Sequence, residues 1–337
     1  MILVTGGAGY IGSHTCVALA QAGRDFLILD NFSNAKRSVL ERLSKIVDFE
    51  VRCVEGDVSD VGLVTRLLEE HKVSAVVHFA ALKAVGESSE QPLRYYRNNV
   101  AGSIALFEAM RLAGVGTIVF SSSATVYGDP ASVPITEDFP LCPTSPYGQT
   151  KLFTEQILTD LVASEPDFWR AALLRYFNPA GAHESGLIGE DPRGVPNNLV
   201  PFVAQVAAGQ RPFLSVWGND YPTRDGTGVR DYIHVMDLAD GHLAALEYVQ
   251  THEGSVTLNL GTGRGVSVQE VVREFERVCG RRIPIRVGPR RAGDVAQYWA
   301  DPSLAQNLLG WQAKAGLQEI CRDAWTWQCA RTMGLDG

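Results

Sequence analysis

The chain of 337 residues is longer than one typical domain, so its length predicts two lobes or one large α/β unit. Its composition, 45% hydrophobic and 20% charged, is that of a soluble globular protein with a sizeable core. The net charge of −8 argues against a general surface for nucleic acid or for anionic membranes.

The cysteines and the N-terminus indicate the cellular context. The six cysteines form no Cys-x-x-Cys pair and accompany no paired histidines, which predicts reduced thiols with neither a disulfide nor a metal site. The chain begins directly with a strand, has no basic leader, and contains no apolar run long enough to cross a bilayer. We therefore expect a cytoplasmic protein that does not enter the membrane.

A glycine-rich turn follows the first strand. The apolar run Ile2–Thr5 leads into three regularly spaced glycines, which are Gly6, Gly9 and Gly12. A helix follows, and the next strand, Phe26–Leu29, stops at Asp30. Such glycines let the backbone approach a pyrophosphate, which the helix N-terminus then holds. Asp30 would accept a hydrogen bond from a ribose 2′-hydroxyl and repel a 2′-phosphate, so the pattern predicts NAD binding in preference to NADP.

Strands and helices then alternate as far as Phe177. Strands are expected at Val51–Val54, Ala75–Ala81, Thr117–Phe120 and Ala172–Phe177, with helical segments at Leu63–Leu68, Pro92–Leu112 and after Pro146. This alternation predicts an α/β fold built on a doubly wound parallel sheet of the Rossmann type. Asp57, after the third strand, either accepts from an adenine amine or caps the following helix. His78 is expected to be a hydrogen-bonded core residue.

The composition of the chain changes near residue 178, where Gly, Pro and Asn become frequent and the predicted strands and helices become shorter. Segments are expected near Leu214–Trp217, Asp237–Val249, Val256–Leu260, Val268–Cys279 and Ile283–Val287. We expect an NAD-binding domain over residues 1–177 and a smaller mixed α/β substrate domain over 178–337, with segments that cross back onto the first. Arginines near aromatic residues in this part would suit a diphosphate and an aromatic base, although Asp231 alternatively pairs with Arg230.

The segment from Ser145 to Lys151 carries a candidate catalytic pair. Ser145 suits an N-cap and Pro146 the first helical position, which places Tyr147 in the first turn. Tyr147 and Lys151 are four residues apart and share a helix face. The helix dipole, the Lys151 ammonium and an oxidised nicotinamide would together lower the pKa of the phenol toward neutrality. Tyr147 is therefore interpreted as a general base that works beside Lys151 and a bound cofactor. Surface packing is the alternative.

Together with Ser123, these features resemble the extended short-chain dehydrogenase/reductase family. Longer blocks at residues 6–14, 82–88, 121–128, 175–179 and 228–235 are similar to the UDP-glucose 4-epimerases within it, along nearly the whole chain. The resemblance implies an isomerase that interconverts UDP-galactose and UDP-glucose. NAD oxidises C4, the 4-keto sugar rotates, and hydride returns to its opposite face. Tyr147 would take the 4-hydroxyl proton, Lys151 would bind the nicotinamide ribose, and Ser123 would bind the 4-oxygen.

The resemblance also assigns binding residues by position. Beside the glycines and the three catalytic residues, those implied for NAD are Tyr10, Ile11, Asp30, Asn31, Asn34, Asp57, Val58, Phe79, Ala80, Lys83, Asn98 and Phe177. Beside Ser123 and Tyr147, those implied for the UDP-sugar are Asn178, Asn198, Leu199, Trp217, Arg230, Arg291, Asp294 and Tyr298. The family further implies a homodimer, paired through the helices near Pro92–Leu112 and after Pro146.

Three other functions share parts of this pattern. A sugar-nucleotide 4,6-dehydratase needs carboxylates directly after the serine, where this chain has Ala124 and Thr125. An epimerase for UDP-glucuronate or for an N-acetylated sugar is the second candidate. A catalytically silent NAD-binding regulator would be expected to lack one member of the Ser123, Tyr147 and Lys151 group. All three are present.

Overall fold

Seven parallel strands form the central sheet of the computed structural model, which describes residues 1–192, 194–291 and 294–335. Their order across the sheet is β11-β6-β5-β4-β1-β2-β3. The strands are β1 Ile2–Thr5, β2 Phe26–Asp30, β3 Cys53–Glu55, β4 Ala75–His78, β5 Thr117–Ser121, β6 Arg170–Tyr176 and β11 Gly254–Leu260. The doubly wound parallel sheet predicted from the alternation is confirmed.

Helices cover both faces of this sheet, because its strand side chains point alternately to two apolar layers. Ile2 and Val4 enter one core, whereas Leu3 between them enters the other. The helices of the first part are α1 Tyr10–Gln21, α2 Ser38–Val47, α3 Val61–Glu70, α4 Val85–Glu90, α5 Pro92–Tyr95, α6 Gly102–Leu112 and α7 Pro146–Ser164. A 3₁₀ turn at Ala124–Tyr127 follows β5.

Three small sheets in the second part combine β7 with β10, β8 with β13, and β9 with β12 and β14. The remaining strands are β7 Asn178–Ala180, β8 Leu214–Trp217, β9 Val229–Arg230, β10 Tyr232–His234, β12 Val266–Ser267, β13 Ile285–Gly288 and β14 Gln297–Tyr298. The remaining helices are α8 Leu199–Ala207, α9 Val235–Thr251, α10 Val268–Cys279, α11 Ser303–Leu309 and α12 Leu317–Ala330, followed by a π-helical turn at Arg331–Leu335.

Two late segments join the first part of the chain. Strand β11 pairs along its whole length with β6, and helix α9 packs against α1. Leu258 of β11 and Leu246 of α9 are fully buried in the same core as Val17 of α1. The central sheet therefore includes a strand that lies well beyond residue 178.

Several segments differ in detail from the predicted elements; β6, for example, begins at Arg170 and β13 at Ile285, each two residues from the expected start. Strand β3 begins at Cys53, two residues later than expected. Strand β4 ends at His78, because Phe79 and Ala80 turn against the glycine loop, where a Cβ on Gly6 would lie 2.7 Å from the Ala80 nitrogen. The helix expected at Pro92–Leu112 contains a π-helical segment at Tyr96–Ala101. In the parts of the chain described above, no helix has both the length and the apolar character needed to cross a membrane.

A buried ion pair fixes α7 against β6. The Nε–H group of Arg175 is shared between the two oxygens of the Glu155 carboxylate, at 3.0 and 3.2 Å, and Nη2 donates to the same carboxylate at 2.7 Å. Both side chains are almost completely buried, with exposures of 6% and 4%. Arg175 also donates to the Tyr127 hydroxyl, and Tyr127 donates to Asn259 of β11. This charge pair and its hydrogen bonds therefore join helix α7, strand β6, the 3₁₀ turn and strand β11.

Glu155→Gln should destabilise the protein by about 3–5 kcal/mol, because it leaves the Arg175 charge buried without its partner. The matched control is Glu165→Gln. Glu165 pairs at 2.8 Å with Arg111, and the two side chains are 40% and 54% exposed. That control should cost less than about 1 kcal/mol. The free energies of unfolding are measured by urea denaturation. Equal losses in the two variants would contradict the prediction.

Candidate active site

Helix α7 begins as its sequence predicts. The Ser145 side chain accepts a hydrogen bond from the Gly148 amide at 3.2 Å, and Pro146 occupies the first helical position. Tyr147 and Lys151 follow on the buried face of the helix, at 9% and 3% exposure. The predicted catalytic pair therefore lies side by side in the protein interior and not on its surface.

Lys151 is held by the end of strand β5. Its Nζ donates a hydrogen bond to the Ser121 carbonyl, and the Ser121 hydroxyl is hydrogen-bonded to the Tyr176 hydroxyl. Burial lowers the pKa of Lys151 to about 7, against an opposing contribution from the Glu155 carboxylate one turn further along α7. Burial thus favours the neutral form of the Lys151 amine.

Burial acts on Tyr147 in the opposite direction from the sequence expectation. It raises the pKa of the phenol to about 12, and a hydrogen bond with Ser123 offsets only part of this effect. Loss of water disfavours the charged phenolate. The expectation of a lowered pKa took account of the nearby positive charges but not of this desolvation. Burial therefore favours the neutral phenol of Tyr147.

Ser123 lies where β5 turns into the 3₁₀ segment. It caps that segment and accepts hydrogen bonds from the Thr125 amide at 3.2 Å and from the Thr125 hydroxyl at 3.0 Å. Next to it, the Ala124 carbonyl accepts a hydrogen bond from the Tyr298 hydroxyl. The structure therefore brings Ser123, Tyr147 and Lys151 together and places Tyr298 beside them.

The glycine turn lies at the carboxyl end of β1 and forms a narrow cradle. Gly6 has a left-handed backbone with φ of 68°, and a Cβ on Gly12 would come within 2.5 Å of the Gly6 carbonyl oxygen. Gly9 precedes α1, whose first turn contains no acidic residue and no side-chain cap. Side chains larger than hydrogen would fill this space, so the free amides at the helix N-terminus suit a phosphate group.

Asp30 stands at the end of β2, as predicted. Its carboxylate accepts from the Ala8 amide of the glycine turn at 3.0 Å and from the Phe32 amide at 2.9 Å. Burial raises its pKa, and these two hydrogen bonds oppose that shift. The acid is thereby tied to the glycine cradle.

Asp57 does not cap the next helix, which was one of its two expected roles. Asp60 caps α3 instead, accepting from the Leu63 amide at 2.9 Å. Asp57 accepts from Ser59 and, at 2.7 Å, from the Asn31 amide, so it joins the ends of β2 and β3. The cap lies three residues later because α3 begins only at Val61.

The other residues expected at the cofactor lie near the carboxyl ends of the strands. Asn31 and Asn34 follow β2 and are exposed, Val58 follows β3 and is buried, and Phe79 and Ala80 follow β4 and are partly buried.

The remaining residues expected at the cofactor make contacts within the protein. Lys83 pairs with Glu190 at 3.3 Å. Asn98 donates to Asn99, which in turn holds the Leu82 backbone and Thr150 of α7. Tyr10 and Ile11 open α1, and Phe177 follows β6 and packs on Tyr298.

His78 is a core residue, in agreement with the prediction. Its ring nitrogens are hydrogen-bonded to Thr5 at 2.7 Å and to Ser103 at 3.0 Å. Burial, followed by the nearby Lys151 charge, lowers its pKa to about 3.

Residues expected at the substrate form two groups in the second part of the chain. Arg291 lies over the Trp217 ring, 4.8 Å from its centre, at the exposed end of β8. Arg230 pairs with Asp294 at 3.8 Å and lies opposite Tyr298 in the β9–β14 register. The expected alternative, an Arg230–Asp231 pair, is wrong, because Asp231 is buried and accepts hydrogen bonds from Thr262 instead.

The two asparagines expected at the sugar have different neighbours. Asn178 opens β7, and its amide donates to the Asp231 carbonyl at 3.0 Å. Asn198 precedes α8 and donates to Glu190 at 2.7 Å, while Leu199 is the first residue of that helix. Strand β9, which contains Arg230, pairs with β14, which contains Tyr298. Because the Tyr298 hydroxyl donates a hydrogen bond to the Ala124 carbonyl, the second part of the chain contacts the turn that contains Ser123.

The residues that support the predicted catalytic pair were not among those predicted from the sequence. Ser122 donates to Glu155, and Ser121, Tyr176 and Arg175 surround the same helix face. One signal was available: Glu155 lies four residues after Lys151, and Arg175 lies in an otherwise apolar strand. Together they could have indicated two opposite charges in the core.

These features define an extended short-chain dehydrogenase/reductase. A family model described as GDP-mannose 4,6 dehydratase matches residues 3–324. A UDP-glucose 4-epimerase of Bacillus subtilis is 57% identical over 99% of this chain and 98% of its own length. The chain belongs to the UDP-glucose 4-epimerase family, as its sequence blocks predicted.

Solved structures agree with this assignment. A UDP-glucose 4-epimerase of Stenotrophomonas maltophila, with bound NAD and formylated UDP-arabinopyranose, superposes with a TM-score of 0.97 at 52% identity, covering 98% of each chain. The enzyme of Bifidobacterium longum, in complex with NAD⁺ and UDP, has a TM-score of 0.94 at 48% identity, covering 99% of each chain.

Tyr147 should stay protonated at neutral pH in protein freed of bound small molecules, because burial raises its pKa to about 12. The measurement is the ultraviolet absorbance of tyrosinate, taken as wild type minus Tyr147→Phe across a pH titration. The difference should show no tyrosinate at neutral pH. A titration step there would mean that Lys151 and the helix dipole suffice on their own.

Proposed function

We propose that this protein interconverts UDP-galactose and UDP-glucose by reversible, NAD-dependent inversion at C4 of the sugar. The observation that carries the proposal is the buried cluster of Tyr147, Ser123 and Lys151, which shares the carboxyl edge of the sheet with the glycine cradle. Membership in the UDP-glucose 4-epimerase family and the NAD and UDP ligands of its relatives support the same activity.

The described residues fit a dinucleotide. Gly6, Gly9 and Gly12 leave room for a pyrophosphate at the start of α1, and Asp30 is placed for an adenosine ribose. Bound NAD would supply reversible hydride transfer at C4, and inversion would follow if the 4-keto sugar rotates between the two transfers. Lys151 is held at the end of β5, where it would bind the nicotinamide ribose.

Tyr147 is the proposed base. Its phenolate would take the 4-hydroxyl proton on oxidation, and the phenol so formed would return that proton on reduction. The phenolate forms at neutral pH only if the pKa falls from the value set by burial. A positive charge in the same dry pocket lowers that pKa, since Coulomb attraction is strong where water is excluded. Ser123, which forms a hydrogen bond with Tyr147, would also form a hydrogen bond with the 4-oxygen of the sugar.

The structure supports epimerisation over dehydration, although the matching family model carries a dehydratase description. Loss of water from a sugar needs acid–base groups next to the serine. Ala124 has none, and the Thr125 hydroxyl donates to Ser123. The proposed cycle therefore has no group for elimination.

The proposed activity is tested by incubating the purified protein with UDP-galactose without added NAD. UDP-glucose should form, and denaturation should release NAD or NADH. Tyr147→Phe should lower kcat by about 100-fold or more because the proton acceptor is lost, while NAD stays bound. Lys151→Ala should impair both turnover and cofactor retention. Near-normal turnover in Tyr147→Phe would show that the base is another group.

Tyr298 is the proposed determinant of sugar selectivity. It is 8% exposed, packs 5.5 Å from the Phe177 ring centre, and is fixed by its bond to Ala124 beside Ser123. A rotating sugar with an acetamido group at C2 would press against this ring. The resulting overpacking would cost about 1–3 kcal/mol.

The protein should therefore prefer UDP-galactose over UDP-N-acetylgalactosamine by roughly five- to 200-fold in kcat/KM. Tyr298→Cys should narrow the gap, because it removes the ring. Rates are compared for both substrates in both proteins. Comparable wild-type rates would favour the second candidate, an epimerase for N-acetylated sugars. UDP-glucuronate is included as a third substrate.

The helices around the active site also offer an apolar outer surface, which we propose pairs with a second copy of the chain. Leu93 of α5, Ile104 and Leu112 of α6, and Phe153 of α7 have exposures of 82%, 39%, 68% and 44%. The ring of Tyr96, in the π-helical segment before α6, contacts the ring of Phe153 in α7, with ring centres 5.9 Å apart. Large apolar side chains exposed on adjacent helices are typical of a protein–protein interface.

Light scattering at micromolar concentration should give the mass of a dimer. Leu93→Glu with Phe153→Glu should shift the mass toward the monomer, because charge replaces apolar contact. Ile285→Glu with Val287→Glu, on exposed positions of β13, is the control and should leave the mass unchanged. A monomeric wild type would refute the proposal.

A further inference from the structure

Glu190 lies at the meeting point of the two parts of the chain. It follows Gly189, which bridges to Ala182, and its carbonyl accepts from the Trp327 indole of α12 at 3.1 Å. A Cβ on Gly189 would come within 2.6 Å of the Trp327 ring, so the backbone here is closely packed. The Glu190 side chain, 10% exposed, is directed by a rigid frame.

One oxygen of this carboxylate serves two partners. Oε1 accepts from the Asn198 amide at 2.7 Å and from Lys83 Nζ at 3.3 Å. The other oxygen, Oε2, is buried and, among the described residues, has no hydrogen-bond partner. The carboxylate charge is therefore compensated mainly through Lys83.

The two partners face different ligands in the proposed function. Lys83 follows β4, at the sheet edge that holds the glycine cradle, and its Nζ is 5.9 Å from the Tyr10 ring centre. Asn198 precedes α8 in the second part of the chain. Lys83 is half-exposed, at 51%, and without a partner its long side chain would sample many rotamers.

We propose that Glu190 is a positioning residue that holds Lys83 and Asn198 in their ligand-binding orientations, so that the cofactor and substrate regions are set by one carboxylate. The inference rests on the proposed function for the identity of the ligands. It assigns Glu190 no contact with the reacting atoms. Its loss therefore affects binding more than the chemical step.

The neighbouring acid has a different set of contacts. Asp191 pairs with Lys36 at 2.8 Å and with Arg331 at 2.7 Å. The direction of the Glu190 side chain, and not simply the negative charge of this loop, therefore joins Lys83 to Asn198.

The test compares Glu190→Ala and Glu190→Gln in the protein purified with its own cofactor. Glu190→Ala should raise KM for UDP-galactose about ten- to 100-fold, with kcat within about threefold of wild type. Glu190→Gln keeps an acceptor oxygen, so its KM should return to within about threefold. Glu247→Gln is the matched control. It alters the exposed Arg24–Glu247 pair, 3.2 Å long, which also joins the two parts of the chain.

Two further measurements separate positioning from a structural role. Binding of UDP by calorimetry should weaken about tenfold or more in Glu190→Ala, and Glu247→Gln should match wild type. The melting temperatures of the Gln variants should be similar. A KM and a UDP affinity unchanged in Glu190→Ala would overturn the inference, as would a loss that Glu190→Gln fails to rescue. If wild type binds UDP but does not convert UDP-galactose, the proposed activity fails, and UDP binding alone decides the role of Glu190.

Discussion

The buried pair of Arg175 and Glu155 is the constraint on which the rest of the site depends. Two charges in the core cost several kcal/mol of desolvation, and only their mutual contact and further hydrogen bonds offset that cost. Ser122 donates a hydrogen bond to Glu155, and Tyr127 accepts one from Arg175. The Tyr127 hydroxyl in turn donates a hydrogen bond to Asn259 of β11. Because α7 can satisfy Glu155 in one position alone, Lys151 and Tyr147 are fixed along with it.

This arrangement gives the site its electrostatic character. The ion pair has no net charge, and both of its side chains are almost completely buried. Lys151 and Tyr147 are both pushed toward their uncharged forms by burial. A dry site of this kind responds strongly to one added charge, because little water screens it. A positive charge beside Tyr147 would therefore lower the pKa of its phenol.

Local signals predicted much of the fold and part of the site. The glycine spacing, Asp30 at a strand end and the Ser145–Pro146 helix start each depend on neighbours in sequence, and each lies where it was expected. Effects that arise from tertiary packing were not predictable in this way. The pKa of Tyr147 depends on burial, and the partner of Arg230 depends on the register of β9 and β14. Glu190 gave no signal, since Lys83 lies 107 residues away and Asn198, eight residues away, is brought to it by the fold of the intervening loop.

The position of β11 has a consequence for how the protein is made. Until residue 260 has left the ribosome, β6 is the edge of an unfinished sheet, with its backbone groups unpaired on one side. Such an open edge can pair with strands of other chains. During synthesis the cofactor cradle is therefore complete while this edge of the sheet is still open to pairing.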